Sequence, residues 1–361
     1  MTFISSVGVG IPEYDLSQTE VKELVKEVFP YSNKQMEHIL PVFDNAAVNN
    51  RQFVVEKEWL RQNHTFQERN ELYLTFAKKH MLQAVDHCLT NGEFLTRDMP
   101  YEAIDMIIFV SSTGIATPSM EVHLLNERPF RESTNRMPLW GLGCVGGAIG
   151  LSRAFDWISA HPEKTALIVS CELCSLTFQK DDNKKSNLVG SALFGDGVSA
   201  VLAMGDKSPY LTYQRKSTPR IVRTSSLTKK DSTSVMGWHV TNSGLEVIFS
   251  KSIPALVNSF WDGHINTFLH EEGLNEQMIH SFIAHPGGKK VLTAMENVLQ
   301  SSSKKFTHSY NVLLNHGNMS SATVFYVLYE AMKEGVGRQK KSILSALGPG
   351  FSSELLLLEW N

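Results

Sequence analysis

One cysteine stands out as a possible nucleophile. Cys144 lies in the run Trp140-Gly-Leu-Gly-Cys-Val-Gly-Gly, at the start of a glycine-rich apolar segment. The first N–H groups and the partial positive charge of a helix favour thiolate, and can lower a cysteine pKa from about 8.5 to roughly 3.5–7.5. Gly146, Gly147 and Gly150 form helices poorly, which predicts that neighbouring backbone or a ligand approaches closely. The alternative is a buried structural cysteine, since free cysteine is among the most buried residue types.

Two polar residues could complete a site around this thiol. His285 follows the apolar run 279–284 and precedes Pro-Gly-Gly, and α/β sheets bind ligands at the carboxyl ends of their strands. Asn318 lies in His316-Gly-Asn-Met-Ser-Ser, where helix capping is its more common role and an amide aimed into a pocket is the functional one. Thiol, imidazole and amide together suit thioester chemistry. The imidazole takes the thiol proton, and both polar groups can donate to a developing enolate, each typically contributing ~2.7–4 kcal/mol.

The remaining cysteines do not form a second chemical motif. Four cysteines in 361 residues argue against a disulfide framework and for a reducing compartment. Cys171-Glu-Leu-Cys174 has the spacing of a metal or redox pair, but no second pair accompanies it. It follows a strand-like run, in which residues three apart face opposite sides of the sheet. We therefore favour a structural or pocket-lining role for both cysteines and predict no metal site.

Composition and length exclude several classes of protein. The chain is 42% apolar and 20% charged with a net charge of −3, as in an ordinary globular protein, and no basic tract points to nucleic acid. Its N-terminus lacks the basic and apolar regions of a signal peptide. No apolar stretch reaches the ~18–20 residues of a membrane span. These features predict a cytoplasmic location, and the length predicts two domains or one double-sized α/β unit.

Strand and helix patterns alternate along both halves of the chain. Ser17-Gln-Thr-Glu20 predicts a capping box that opens a helix. Elements of the first half are predicted as a helix near 65–90, strands at 104–111 and 166–170, and a buried strand after Phe194-Gly-Asp-Gly. A polar stretch from about 207 to 233 predicts a domain junction. The second half is predicted to contain helices near 249–267, 290–299 and after Asn318, and strands at 279–284, 342–347 and 354–359. This alternation favours mostly parallel sheets covered by helices.

Four ordered motifs resemble those of a known family. They are Trp140-Gly-Leu-Gly-Cys-Val-Gly-Gly, Val189-Gly-Ser-Ala-Leu-Phe-Gly-Asp-Gly, Ile283-Ala-His-Pro-Gly-Gly and Gly317-Asn-Met-Ser-Ser-Ala. They resemble the type III polyketide synthases, the chalcone and stilbene synthase superfamily, in a bacterial form similar to alkylpyrone synthases. The resemblance covers essentially the whole chain. It implies a thiolase-like α/β fold of five layers, with halves at 1–208 and 209–361, and a homodimer.

The resemblance also implies residue roles. Cys144 becomes the nucleophile, His285 the general base and enolate donor, and Asn318 the second donor during decarboxylation. Phe194 matches an aromatic gatekeeper between the CoA tunnel and the cavity. The other implied pocket residues are Ser112, Cys174, Thr177, Val247, Leu347, Gly348 and Pro349. Substrates would be an acyl-CoA starter and malonyl-CoA, with no separate cofactor, no nucleic acid and no membrane span.

Several positions depart from the plant members of that family. Val247 and Leu347 stand where the plant enzymes carry aromatic residues, which predicts a wider cavity and an aliphatic, long-chain starter. The plant enzymes hold CoA phosphates with basic residues, whose positions here fall on His38, Pro41 and Asn45. Arg51 and the scattered lysine pairs are candidate substitutes.

Iterative decarboxylative condensation followed by closure to a pyrone or resorcinol is the predicted activity. The main alternative is a β-ketoacyl-acyl-carrier-protein synthase III-like enzyme of fatty-acid synthesis, whose histidine normally lies in a His-Gln-Ala-Asn context unlike Ala284-His-Pro-Gly-Gly. A hydroxymethylglutaryl-CoA synthase would add a glutamate near the cysteine, and 140–154 contains none. A non-catalytic acyl-CoA-binding protein on this fold would need a degraded triad.

Overall fold

The computed structural model describes residues 1–215 and 218–361, so that Lys216 and Ser217, within the predicted junction, lie outside the description. Its strands are β1 (Thr2–Gly10), β2 (Tyr14–Ser17), β3 (Asn50–Phe53), β4 (Met106–Ser111), β5 (Asn135–Trp140), β6 (Thr165–Leu173), β7 (Asp196–Gly205), β8 (Pro219–Thr228), β9 (Met236–Thr241), β10 (Gly244–Phe249), β11 (Ile279–Ala284), β12 (Lys341–Gly348) and β13 (Ser352–Trp360).

Helices alternate with these strands. They are α1 (Gln18–Val28), α2 (Asn33–Ile39), α3 (Pro41–Asn45), α4 (Lys57–Leu60), α5 (Phe66–Thr90), α6 (Glu121–Glu127), α7 (Gly146–Ala160), α8 (Lys185–Leu193), α9 (Ile253–Leu256), α10 (Asp262–Glu271), α11 (Lys289–Val298), α12 (Thr307–His316) and α13 (Thr323–Glu334). Ser17 caps α1 in the predicted capping box with Glu20. Among the described residues, no helix combines the length and apolar character that a bilayer crossing requires.

Nine strands form one mixed sheet in the order β11-β12-β13-β8-β1-β7-β6-β4-β5. Within the described part of this sheet, strands of the two halves pair with each other only where Thr2 and Phe3 of β1 meet β8. Three strand pairs are parallel (β4 with β5, β4 with β6, and β11 with β12), whereas the others are antiparallel. The expectation of mostly parallel sheets is therefore wrong. A continuous apolar run such as β6, buried along its whole length, indicates that both faces of the strand are covered. It does not indicate whether the strand runs parallel or antiparallel to its neighbours.

Two helices lie between the halves of the sheet. α7 contacts β4 and β6 of the first half and β12 and β13 of the second, while α13 contacts β1, β7, β11 and β12. Outer helices cover the opposite faces, with α5 packed on β1 and β7 and α10 on β13. This arrangement confirms the layered α/β architecture that the alternating pattern predicts.

The polar stretch predicted as a junction is an ordered part of the sheet. β8 pairs with β13 from Pro219 to Thr228, and its residues become progressively more exposed toward Thr228. Partial exposure explains why the segment is polar and lacks a clear apolar period. The segment predicted as a helix near 249–267 begins instead at Ile253, because Gly244–Phe249 pairs with β9 in a hairpin.

Candidate active site

Cys144 lies where α7 begins. It occupies a short 3-10 turn, Gly143–Val145, directly before Gly146, and is 7% exposed. A Cβ added at Gly147 would lie 2.3 Å from the backbone oxygen of Ser321. The predicted close approach of neighbouring backbone to this glycine-rich helix is thus confirmed, and it brings the segment after Asn318 against the turn that holds Cys144.

Asn318 is held with its amide in a defined orientation. The backbone N–H of Ser320 donates to Asn318 Oδ1 at 2.9 Å, so that oxygen must face the N–H. The Nδ2 group therefore points the other way, toward the Gly287 carbonyl at 3.5 Å. Cys144 Sγ lies 4.0 Å from Asn318 Oδ1. The capping alternative does not hold in its simple form, since α13 begins at Thr323, beyond a separate 3-10 turn at Ser320–Ala322.

His285 follows β11 at the predicted sheet edge. Its backbone N–H donates to the Ser345 carbonyl of β12 at 2.7 Å, and its side chain is buried. Neither ring nitrogen has a hydrogen-bond partner among the described residues. An unpartnered buried imidazole is costly to maintain, so both nitrogens are free for a substrate or a proton. Gly287, two residues on, accepts from Asn318 and thereby links the His285 segment to Cys144.

Burial controls the protonation of the two candidate catalytic groups. It raises the pKa of the Cys144 thiol to about 12, an effect that a hydrogen bond with Ser320 opposes and the charge of Glu172 reinforces. Burial lowers the pKa of His285 to about 3. The helix start therefore does not by itself make Cys144 a thiolate, contrary to the sequence-based expectation. Proton transfer from the thiol to an imidazole therefore requires the two opposite charges to stabilise each other.

Two clefts meet at Phe194. One holds about 290 Å³ of empty space and is lined by Cys144, Ser320, Pro349 and residues of β9 and β10. The other holds about 440 Å³ and is lined by Cys174 and Thr177 together with aliphatic side chains of α1. Phe194 and Val247 line both clefts. The position of Phe194 at their boundary is the one expected of a gate.

Three predicted pocket residues lie elsewhere. Ser112 and Leu347 are buried and are not among the described residues that line the two clefts. Ser112 instead donates to Glu172 through its backbone N–H at 3.1 Å and its hydroxyl at 3.0 Å. Gly348 packs against the backbone of Val145 and therefore contacts the turn that carries Cys144. Cys171 is buried and, like all four cysteines, free.

Sequence reasoning missed Glu172. This fully buried carboxylate accepts from Thr113 Oγ1 at 2.9 Å and Ser321 Oγ at 2.5 Å, besides Ser112. Burial raises the pKa of Glu172. The signal that could have revealed it was a lone glutamate between two cysteines in an otherwise apolar strand, because such residues are almost never fully buried unless partnered.

The aromatic gate also differs from the expectation. Phe194 packs against Trp238 at 6.0 Å and Phe249 at 5.6 Å between ring centroids. These rings come from the β9–β10 hairpin, which the apolar pattern did not reveal. Aromatic residues therefore enclose the Cys144 side of Phe194, and the aliphatic side chain of Val247 lines both clefts.

The prediction that Arg51 could bind CoA phosphates is wrong. Its side chain is fully buried and its guanidinium is occupied by protein acceptors. His38, Pro41 and Asn45 are exposed. A surface cleft of about 900 Å³ brings Asn45 next to Lys289 and Lys290, which begin α11 immediately after the Gly287–Gly288 segment.

Comparison with known proteins agrees with this architecture. The family model for the N-terminal domain of chalcone and stilbene synthases matches residues 1–207, and that for the C-terminal domain matches residues 223–360. A Bacillus subtilis (strain 168) protein named "Putative chalcone synthase" is 44% identical over 100% of this chain and 99% of its own length. A 1,3,6,8-tetrahydroxynaphthalene synthase from Streptomyces peucetius subsp. caesius is 32% identical, covering 99% of this chain and 93% of the relative.

The fold has a solved counterpart. The crystal structure of 1,3,6,8-tetrahydroxynaphthalene synthase from Streptomyces coelicolor A3(2), a bacterial type III polyketide synthase, superposes with a TM-score of 0.90 at 27% identity, covering 99% of each chain. The fold and site thus define an acyltransferase of thiolase-like architecture. The chain belongs to the chalcone and stilbene synthase family and is a bacterial type III polyketide synthase.

The rate of Cys144 alkylation tests its link to His285. Burial keeps the thiol protonated and the imidazole neutral near pH 7, so thiolate forms there only when a base takes the thiol proton. We expect His285→Gln to lower the rate constant for iodoacetamide modification at pH 7, followed by mass spectrometry at Cys144, at least ~10-fold. His264→Gln is the matched control, because His264 is another buried histidine, located on α10 with its ring bonded to Ser225 and Ser353. An unchanged rate constant in His285→Gln would refute the link.

Proposed function

We propose that this enzyme carries out iterative decarboxylative condensation with Cys144, His285 and Asn318 as its catalytic residues. The Cys144 thiolate attacks the carbonyl of an acyl-CoA, and the CoA thiol leaves with a proton. Malonyl-CoA then loses CO2, and the resulting enolate accepts hydrogen bonds from His285 and the Asn318 amide. The enolate carbon attacks the Cys144 thioester and expels the thiolate, giving a β-ketoacyl-CoA two carbons longer, which reloads for the next round.

The observation that carries this proposal is an unpartnered buried His285 ring, together with an asparagine whose amide is fixed and directed toward the Gly287 carbonyl of the His285 segment. Ser320 orients the amide so that Nδ2 serves as a donor, and neither His285 nitrogen is engaged by the described protein. Neutral donors suit an enolate, since a carboxylate in either position would repel it. Cyclisation of the extended poly-β-keto chain to a pyrone or resorcinol completes the proposed reaction.

Substitution of Cys144 separates chain extension on the thioester from decarboxylation of malonyl-CoA. Cys144→Ala removes the atom that carries the acyl group, so we expect product formation to fall below ~0.1% of the wild-type rate. Cys144→Gln mimics an acylated sulfur while His285 and Asn318 stay in place, so CO2 release from labelled malonyl-CoA should persist. Product formation by Cys144→Ala at the wild-type rate would contradict the mechanism. Cys88→Ala removes a buried cysteine of α5 next to β1 and controls for loss of a thiol in general.

We propose further that the starter is aliphatic and long-chain. The second cleft opens beside Val247 and is lined by Val21, Leu24 and Leu60, so it offers an apolar path in which a flexible chain could be buried. Each buried methylene contributes ~0.8 kcal/mol. A flat aromatic starter would gain less from this path, because Trp238 and Phe249 already occupy the side of the gate next to Cys144.

A panel of acyl-CoA starters with malonyl-CoA, read by mass spectrometry of the products, tests starter choice. Val247→Phe should block the entrance to the second cleft, so long-chain starters should lose at least ~10-fold in kcat/KM while short ones change less than ~3-fold. Val240→Phe is the control on the same hairpin, since Val240 is 55% exposed. Good activity with coumaroyl-CoA and none with long-chain acyl-CoA would refute an aliphatic starter.

CoA phosphates are proposed to bind at Lys289 and Lys290. These lysines replace the N-terminal basic positions that are His38, Pro41 and Asn45 here, and they share a surface cleft with Asn45. Two of the residues that line the cleft, Lys289 and Lys290, directly follow Gly287 and Gly288 in the chain. A CoA thioester anchored there would approach Cys144 along the His285–Gly288 segment.

The lysine pair can be tested kinetically. Exposed ion pairs contribute up to ~1 kcal/mol each, so Lys289→Ala with Lys290→Ala should raise the KM for acyl-CoA roughly 10-fold, with kcat nearly unchanged. Added salt should shrink this difference, because it screens exposed charges. Lys340→Ala with Lys341→Ala is the control, since this pair lies at the opposite end of β12 from Gly348. Equal KM values for the two double variants would contradict the assignment.

Two further expectations accompany this function. A homodimer is supported by β5, a strand at the edge of the sheet whose Trp140 is 54% exposed, because an unpaired strand edge is a ready site for a second copy. A cytoplasmic location stays a prediction from the sequence.

A further inference from the structure

Arg51 is a buried cation with neutral partners. It lies on β3 and is fully buried. All of its hydrogen-bond acceptors among the described residues are neutral: three backbone carbonyls and the side chain of Gln18. Burial lowers the pKa of Arg51 to about 9, so it remains charged at neutral pH. Placing an unpaired charge in the interior is costly, so the interactions it makes require a reason.

The guanidinium holds the end of α8 and the turn that carries Phe194. Nη1 donates to the Ser191 carbonyl at 2.9 Å and the Phe194 carbonyl at 3.0 Å. Nη2 donates to the Ala192 carbonyl at 3.0 Å. The last carbonyls of a helix lack partners within the helix and carry partial negative charge, which a cation complements. One planar fork thus fixes the directions of the Ser191, Ala192 and Phe194 carbonyls around the gate residue.

The same turn is bonded to Asn318. The backbone N–H of Asn318 donates to the Leu193 carbonyl at 2.8 Å, and the N–H of Gly195 donates to the Asn318 carbonyl at 3.1 Å. Phe194 and Asn318 form an isolated parallel bridge. Any shift of the Phe194 turn therefore moves the backbone from which the Asn318 amide projects.

The Cβ atom of Arg51 lies next to both the turn that carries Phe194 and the turn that carries Asn318. A Cβ added at Gly195 would lie 3.2 Å from Arg51 Cβ, and one at Gly317 would lie 3.6 Å from it. Gly317 also adopts a φ of +68°, which side-chain-bearing residues rarely accept. The two glycines leave room for Arg51 against both backbones, so the side chain touches the gate turn and the Asn318 turn together.

We propose that Arg51 is a positioning residue for condensation, one that holds Phe194 and, through the Leu193–Gly195 turn, the Asn318 amide where the enolate forms. A role in stability alone does not need a charge, since apolar side chains of similar volume stabilise a core at least as well. A lysine at this position would keep the charge but present one point donor in place of a planar fork. The inference rests on the proposed decarboxylation at Asn318.

Arg51→Lys and Arg69→Lys form a matched pair for the test. Arg69 is also buried and donates to three backbone carbonyls, of His64, Leu176 and Phe178, at 3.4, 3.0 and 2.8 Å, but no bond joins these acceptors to Asn318 among the described residues. CO2 release from malonyl-CoA is measured for each change in the Cys144→Gln background, and amide hydrogen exchange is measured over residues 190–197 and 315–321. Starter loading on Cys144 is measured with Cys144 intact.

We expect Arg51→Lys to lower kcat for decarboxylation at least ~10-fold with KM changed less than ~3-fold, because a misplaced donor weakens transition-state stabilisation more than binding. Starter loading should stay within ~3-fold of wild type, and exchange should rise in both segments, whereas Arg69→Lys shows none of these changes. Unchanged exchange in 315–321, or an equal loss of loading and decarboxylation, would overturn the proposal. If Cys144→Gln itself releases no CO2, the proposed function fails, and the exchange data still decide whether Arg51 positions the Asn318 turn.

Discussion

The close contact of Gly147 with the Ser321 carbonyl is the constraint on which the site depends. α7 and α13 run between the two halves of the sheet and contact each other, and both begin at the same end of the interior. Cys144 lies in the 3-10 turn that leads into α7, and Asn318 lies just before the 3-10 turn that leads into α13. A side chain at position 147 would collide with the Ser321 backbone and separate the two helix starts. The Cys144 thiol and the Asn318 amide lie close together because the two helix starts can approach each other this closely.

Around this contact, buried polar groups fix the turns that carry the reacting side chains. Glu172 accepts from Ser321 and Ser112, and Asp196 accepts from the Val54 and Ser175 N–H groups at 2.8 and 2.6 Å. Burial raises the pKa of Asp196 to about 7. Charged groups in a low-dielectric interior hold their partners strongly and leave little freedom to move. The site is therefore rigid where it positions donors and apolar where it admits substrate.

Local chemistry made much of the fold and the reactive residues predictable. The capping box at Ser17, the strand at 279–284 and the helix near 65–90 follow from short-range rules, and the structure contains all three. Cys144, His285 and Asn318 were identifiable by residue type next to glycines and strand ends. The structure places Cys144 Sγ 4.0 Å from Asn318, whose amide contacts the Gly287 carbonyl in the segment that follows His285. Interactions within a few residues of each other are recorded directly in the sequence.

What the sequence did not reveal depends on long-range partners. β8 is polar because β13 and solvent share its faces, and Arg51 is buried because carbonyls some 140 residues away satisfy it. The thiol pKa follows the same logic, since the helix start predicts a lower value but the enclosing core raises it. A residue type indicates which chemistry is available. Whether an arginine meets a phosphate or a helix end is decided by the elements that fold around it.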